Sequence, residues 1–268
     1  MTLASLLAHE RGGPGDAPTI LLLHAGVADS RMWDSLWDSL TRDFDVVRCD
    51  LRGFGSSTEL PDGTLSHRHD VLALLDGLGV GRCHLVGASF GAGVAAEVAV
   101  VAPDRVLSLT LSPPGGSLLA VRTPDLAAFA DAERAALAAG DLDAAAEVNV
   151  DTWVVGPSRR AEDVDPVVRE AVRSMQRHAF EVGAAFDDVE EDELDPPVLD
   201  RLTEVIAPTL VLVGGHDLET THDAADRLVA GLPDVRRVDW PDAAHLPSME
   251  HPERFVDLLR DHLATAGD

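Results

Sequence analysis

Residues 19–24 read Thr-Ile-Leu-Leu-Leu-His, an apolar run too short for a helix and lacking the alternation of a half-exposed strand. Such a run suits a strand covered on both faces, which is the condition of a parallel sheet. The same signature returns at 44–50, 82–88, 105–112 and 209–215, and 235–240 is expected to be the last strand. Between these runs lie segments with apolar residues at helical spacing, at 31–40, 69–79, 90–100, 222–232 and 252–264. The last of them carries proline near its start, where a helix tolerates it. Strands and helices in alternation predict an α/β fold, a mostly parallel doubly wound sheet. Residues 3–10 are expected to add an edge strand.

One stretch breaks the rhythm. From Pro113 to Ile206 no run reads as a strand. Segments 123–140 and 141–156 read as two alanine-rich helices joined through Gly140, and 165–186 as a third. Residues 187–195 then hold seven carboxylates, a run expected to be solvated and without a direct chemical role. The reading is a core domain from residues 1–112 and 207–268, with 113–206 inserted as a helical cap. A cap there would cover the carboxyl ends of the strands, where open α/β sheets bind ligands.

Composition narrows the partners. A formal charge of −26 argues against nucleic acid and anionic membranes, because both require a basic footprint. All 21 basic residues are arginine, so no mechanism through a Schiff-base lysine is open to the chain. The two cysteines, Cys49 and Cys83, fall in or beside buried strands and read as small core residues; no spacing resembles a zinc site. No signal peptide or membrane span is read, and a cytoplasmic protein is expected. The expected partner is a small molecule, with no cofactor and no metal. Oligomeric state is open.

The chemistry concentrates at Gly87-Ala88-Ser89-Phe90-Gly91, where a buried strand gives way to a helix. A sharp turn there would strain the Ser89 backbone and expose its hydroxyl. The residues two before and two after must then be small, and both are glycine. The Phe90 N–H, opening the helix, would point at a developing oxyanion. A Gly-x-Ser-x-Gly string alone is a weak signal, so its partners become the test. In this sheet order an acid and then a histidine should follow in later loops. Asp217 follows the run at 209–215, with Glu219 as nearest rival, and His245 lies in the loop before the last helix. Asp242 is too close in sequence to orient His245. His9, His84 and His262 sit within predicted elements, His178 in the cap, His216 and His222 beside the acid's loop, and His251 at a helix start.

A second oxyanion donor should come from the loop after the first buried run. Gly26 lets the backbone turn toward the site there, with His24 as a hydrogen-bonding brace. In the turn at 49–57, Asp50 and Arg52 are expected to hold the loop. His67-Arg-His69-Asp70 lacks the rest of a metal ligand set and reads as the start of a surface helix.

Taken in order, His24-Ala25-Gly26, the Asp50–Ser56 turn, the residue 87–91 string, Gly215-His216-Asp217 and Ala244-His245 resemble the α/β-hydrolase superfamily along nearly the whole chain. The resemblance implies a triad of Ser89, Asp217 and His245, with oxyanion N–H groups from Phe90 and from the loop after His24. The usual His-Gly reads His-Ala here, which favours Gly26 over Val27 as donor. It implies a serine hydrolase cleaving a carboxylic ester or related acyl bond of a small, apolar substrate. Lactonase, cofactor-free perhydrolase and C–C bond hydrolase are alternatives on the same triad, as is a small-molecule receptor that retains it. Serine in place of aspartate at the turn argues against dehalogenases and epoxide hydrolases, and the chain has no tyrosine. Leu246 after His245 lowers the case for C–C hydrolysis. Trp153 and Phe180 are the cap aromatics expected to line the substrate site.

Overall fold

The structure, a computed structural model, describes residues 7–266. Its sheet is built from β1 (His9–Gly12), β2 (Thr19–Leu23), β3 (Asp45–Cys49), β4 (Cys83–Ser89), β5 (Val106–Pro114), β6 (Thr209–Gly214) and β7 (Val235–Trp240). The order across the sheet is β1-β3-β2-β4-β5-β6-β7. β1 runs antiparallel to β3, and the other pairings are parallel. All six runs read as strands from the sequence are strands, the last of them buried only at Trp240. The edge strand differs: it lies at His9–Gly12 rather than at 3–10, and residues 3–6 of that expectation lie outside the described residues.

The helices are α1 (Asp34–Leu40), α2 (His67–Gly77), α3 (Phe90–Val101), α4 (Pro124–Ala138), α5 (Leu142–Asn149), α6 (Pro166–Gly183), α7 (Glu219–Gly231), α8 (Pro247–Glu250) and α9 (Pro252–Thr265). Successive side chains of a strand point to opposite faces, and β2 shows the consequence. Leu21 and Leu23 pack with α2, α3 and α7 through Leu74, Ala95 and Leu228. Ile20 and Leu22 pack on the other face with α1 and α9 through Leu36, Phe255 and Leu259. These four β2 side chains are fully buried, each contributing about 1.5–3 kcal/mol over exposure.

Between β5 and β6 the chain forms α4, α5 and α6, with α5 packed against both others. After α5 the coil widens into a π-helical turn, Val150–Val155. The acidic run that follows α6 is exposed at six of its seven carboxylates, as expected, and its backbone is tied down at two points. The Leu65 N–H donates to Glu190 O (2.8 Å) and the Asp192 N–H to Leu65 O (2.7 Å), docking the run beside the start of α2. Buried Arg68 donates to the Asp192 carboxylate at 2.6 Å, so one of the seven carboxylates balances a charge that burial would otherwise penalise.

Candidate active site

At the end of β4 the backbone turns so sharply that Ser89 takes φ +51°, the only positive φ outside glycine among the described residues. A side chain at this angle is strained, and the surroundings hold it there. A Cβ on Gly87 would lie 2.3 Å from Gly91 O; one on Gly91 would lie 2.5 Å from both Leu23 O and His24 O. Those contacts are with backbone and cannot be relieved by turning a side chain. Gly115, just past β5, is as tightly placed: its Cβ would meet Ser89 Oγ at 2.6 Å.

Ser89, His245 and Asp217 come together from three loops. Ser89 Oγ lies 2.7 Å from His245 Nε2, and His245 Nδ1 lies 2.7 Å from Asp217 Oδ2. Facing a carboxylate, Nδ1 carries the proton and donates, which leaves Nε2 free to accept from the serine hydroxyl. The other Asp217 oxygen accepts from the Leu218 N–H (2.8 Å) and from Thr221 Oγ1 (3.1 Å). Asp217 and His245 are buried. Of the rival acids, Glu219 is exposed and Asp242 pairs with Arg254 at 2.9 Å.

The loop bearing His245 is held from the segment after α5. The His245 N–H donates to Trp153 O (3.1 Å), and the Trp153 ring lies 4.4 Å from the imidazole, centre to centre. The Ala244 N–H donates to Glu250 Oε1 of α8 (2.7 Å), and the other Glu250 oxygen accepts from Arg159 (2.6 Å). Arg159 also donates to Val154 O and Val155 O at the end of the π-helical turn.

Beside the serine, the Gly91 N–H donates to His24 O (3.1 Å), tying α3 to the loop after β2. The Phe90 N–H begins α3 and so has no intrahelical acceptor. The Gly26 N–H meets no protein acceptor among the described residues, and a Cβ on Gly26 would touch Phe90 at 3.4 Å. His24 braces this loop as expected. Its Nδ1 donates to Ala25 O (2.9 Å), and its Nε2 accepts from the Leu51 N–H (2.9 Å). Burial pushes its pKa down, keeping the ring neutral for that pair of bonds. Asp50 accepts from the Ser30 and Ser56 N–H groups (2.8 Å each), and Arg52 grips Asp70 through two bonds of 2.7 Å.

A cavity of about 310 Å³ opens against Gly26 and Phe90, walled by Phe54, Phe180 and Phe186. A second, of about 380 Å³, lies along Phe90, Val94, Glu97 and the acidic run. Phe180 therefore faces a cavity, whereas Trp153 packs on His245. His67, read from the sequence as part of a surface helix start, instead borders both cavities, its ring 5.0 Å from that of Phe90. Burial pushes its pKa down to about 4. Gly115, His67, Gln176, Arg159 and Glu250 were missed by motif reasoning. Only Gly115 carried a signal, in the Pro113-Pro114-Gly115-Gly116 string that ends a strand.

Cys49 and Cys83 are buried and unpaired, with both thiols pushed up by burial, Cys83 to about 12. Among the described residues no group of three or more His, Cys, Asp or Glu is placed to hold a metal. Among them, too, no helix is long and apolar enough to cross a membrane.

A family model for the alpha/beta hydrolase fold matches residues 18–252. The chain is 27% identical over 255 residues to the pimeloyl-[acyl-carrier protein] methyl ester esterase of Nitrosomonas europaea, covering 91% of this chain and 95% of that protein. It is 25% identical to 3-oxoadipate enol-lactonase 1 of Acinetobacter baylyi, covering 94% and 91% of the two. Among solved structures it is similar to a hydrolase from Pseudomonas aeruginosa, with 30% identity, TM-score 0.76, and 96% and 94% of the chains covered.

Proposed function

The chain belongs to the alpha/beta hydrolase fold family, and from that premise we propose that it cleaves a carboxylic ester of a small, largely apolar molecule through an acyl-enzyme on Ser89. The observation that carries this reading is the unbroken hydrogen-bond chain from Ser89 Oγ through His245 to Asp217. His245 Nε2 takes the Ser89 proton as Oγ attacks the carbonyl carbon. The carbonyl oxygen becomes an oxyanion facing the Gly26 and Phe90 N–H groups, which stabilise charge at the moment it forms. His245 then gives its proton to the departing alcohol, and a water molecule, deprotonated by the same nitrogen, releases the acid. Asp217 keeps the imidazole in the tautomer this exchange needs.

Residues 113–206 act in this reading as a cap over the site, and the cavity between Phe90 and α6 takes the substrate's apolar part. A lactone is an ester closed into a ring, and the same steps would open it. Similarity to the Acinetobacter baylyi enol-lactonase favours that second reading.

A panel of short aryl esters and lactones tests the proposal, together with mass labelling by a fluorophosphonate. Turnover should fall about 10⁴-fold or more in Ser89→Ala, and the label should map to Ser89. Full activity in that variant would refute the assignment. Tight binding with negligible turnover would favour a receptor.

A further inference from the structure

The cavity against Gly26 and Phe90 is apolar on most of its wall, with the rings of Phe54, Phe90, Phe180 and Phe186 around it. Gln176, on α6, breaks that character. It is 5% exposed, and its Oε1 is buried without a hydrogen-bond partner among the described residues. His67 borders the same space, and its buried Nδ1 is likewise without a partner. Two unpartnered polar groups beside aromatic rings cost folding free energy, which a bound molecule can restore.

The charges around the cavity narrow what that molecule carries. Arg52 lines it, but Nε and Nη2 lie on the Asp70 carboxylate (2.7 Å each) and Nη1 on Glu59 O (2.9 Å). The guanidinium is thus neutralised, and Glu191 adds a carboxylate to the wall. An anionic group would meet repulsion and no unpaired cation. A hydroxyl or carboxamide both donates and accepts, so it can satisfy a glutamine amide in either orientation.

We infer that Gln176, assisted by His67, determines specificity by binding a neutral hydroxyl or carboxamide carried on the substrate away from the scissile ester. The inference rests on the ester-hydrolase reading for its reaction, though not for the binding itself.

The test compares kcat/KM for 4-nitrophenyl esters of four- to eight-carbon acids ending in methyl, hydroxyl or carboxylate. A parallel series carries the hydroxyl on the alcohol portion. At its best chain length the hydroxyl ester should exceed its methyl partner by about tenfold, expressed mainly in KM, and the carboxylate should be the poorest. Gln176→Leu, or Gln176→Met, should bring the hydroxyl-to-methyl ratio of kcat/KM down to about one, and circular dichroism with thermal unfolding of each variant reports that it folds. Calorimetry of the same pairs on Ser89→Ala reads binding with turnover removed. A hydroxyl preference there supports the inference even if no ester is hydrolysed, and failure to hydrolyse any ester counts against the reaction alone. No hydroxyl preference in either series or in binding, or a preference that survives substitution of Gln176, would overturn it.

Discussion

The turn at 87–91 and helix α6 serve one cavity but are fixed by different constraints. In the turn, geometry follows from collisions with backbone: Gly87 and Gly91 have no room for a Cβ, and Ser89 is held at φ +51°. In α6, Gln176 and Phe180 occupy ordinary helical positions, and their relation to the site comes wholly from how that helix is docked. A local steric requirement must be written in adjacent residues. A docked helix face can be filled by many sequences, so it leaves little local trace.

The sharpest way to break the comparison is in the turn. Gly91→Val places carbon against Leu23 O and His24 O, and should abolish both turnover and cooperative folding, as thermal unfolding of the purified variant would reveal. Retained activity would mean that the turn is no more constrained than the helix.

A smaller effect is expected on the loop that carries His245. Glu250→Gln leaves the half-buried Arg159 without its counter-charge, so stability should drop by about 1–3 kcal/mol in chemical denaturation. The Ser89 reaction should slow without vanishing, because the Ala244 N–H still has an amide oxygen to meet. An unchanged unfolding midpoint would show that the loop is held locally after all.

The mildest test uses pH. Burial lowers the pKa of His24, and lowers that of His84 to about 4, below the ordinary value of 6.5. With folded values depressed, the unfolded chain binds protons first as pH falls. The stability these neutral rings supply is complete above pH 6.5 and is lost progressively toward about 4 for His84. The melting temperature should decline across that window, and the decline should be shallower in His84→Leu. An equal slope in that variant would assign the effect to other groups.

These differences explain what the sequence made legible. The six strands and the order serine, aspartate, histidine were readable because each is tied to a strand pattern, a strand end or a steric rule. Gly115 was harder, since its neighbour Ser89 is distant in sequence and only the β4–β5 pairing brings them together. The acidic run is exposed at six of its seven carboxylates, as its charge density implies, but the hold of Arg68 on Asp192 left no local trace because Arg68 lies on another element. His67 read as part of a surface helix start for the same reason: the helix start was visible, and the cavity beside it was not.

The bond from the Gly91 N–H to His24 O reaches beyond the turn itself. It joins the loops presenting Gly26 and Phe90, and those loops leave neighbouring strands paired at Leu23 and Gly87. The separation of the two amides is therefore inherited from strand registry, much as the gap between two teeth is set by the jaw. A substrate need not assemble this part of the site on arrival. Variation in the helical segment can then retune what is admitted, while the tool beneath keeps its calibration.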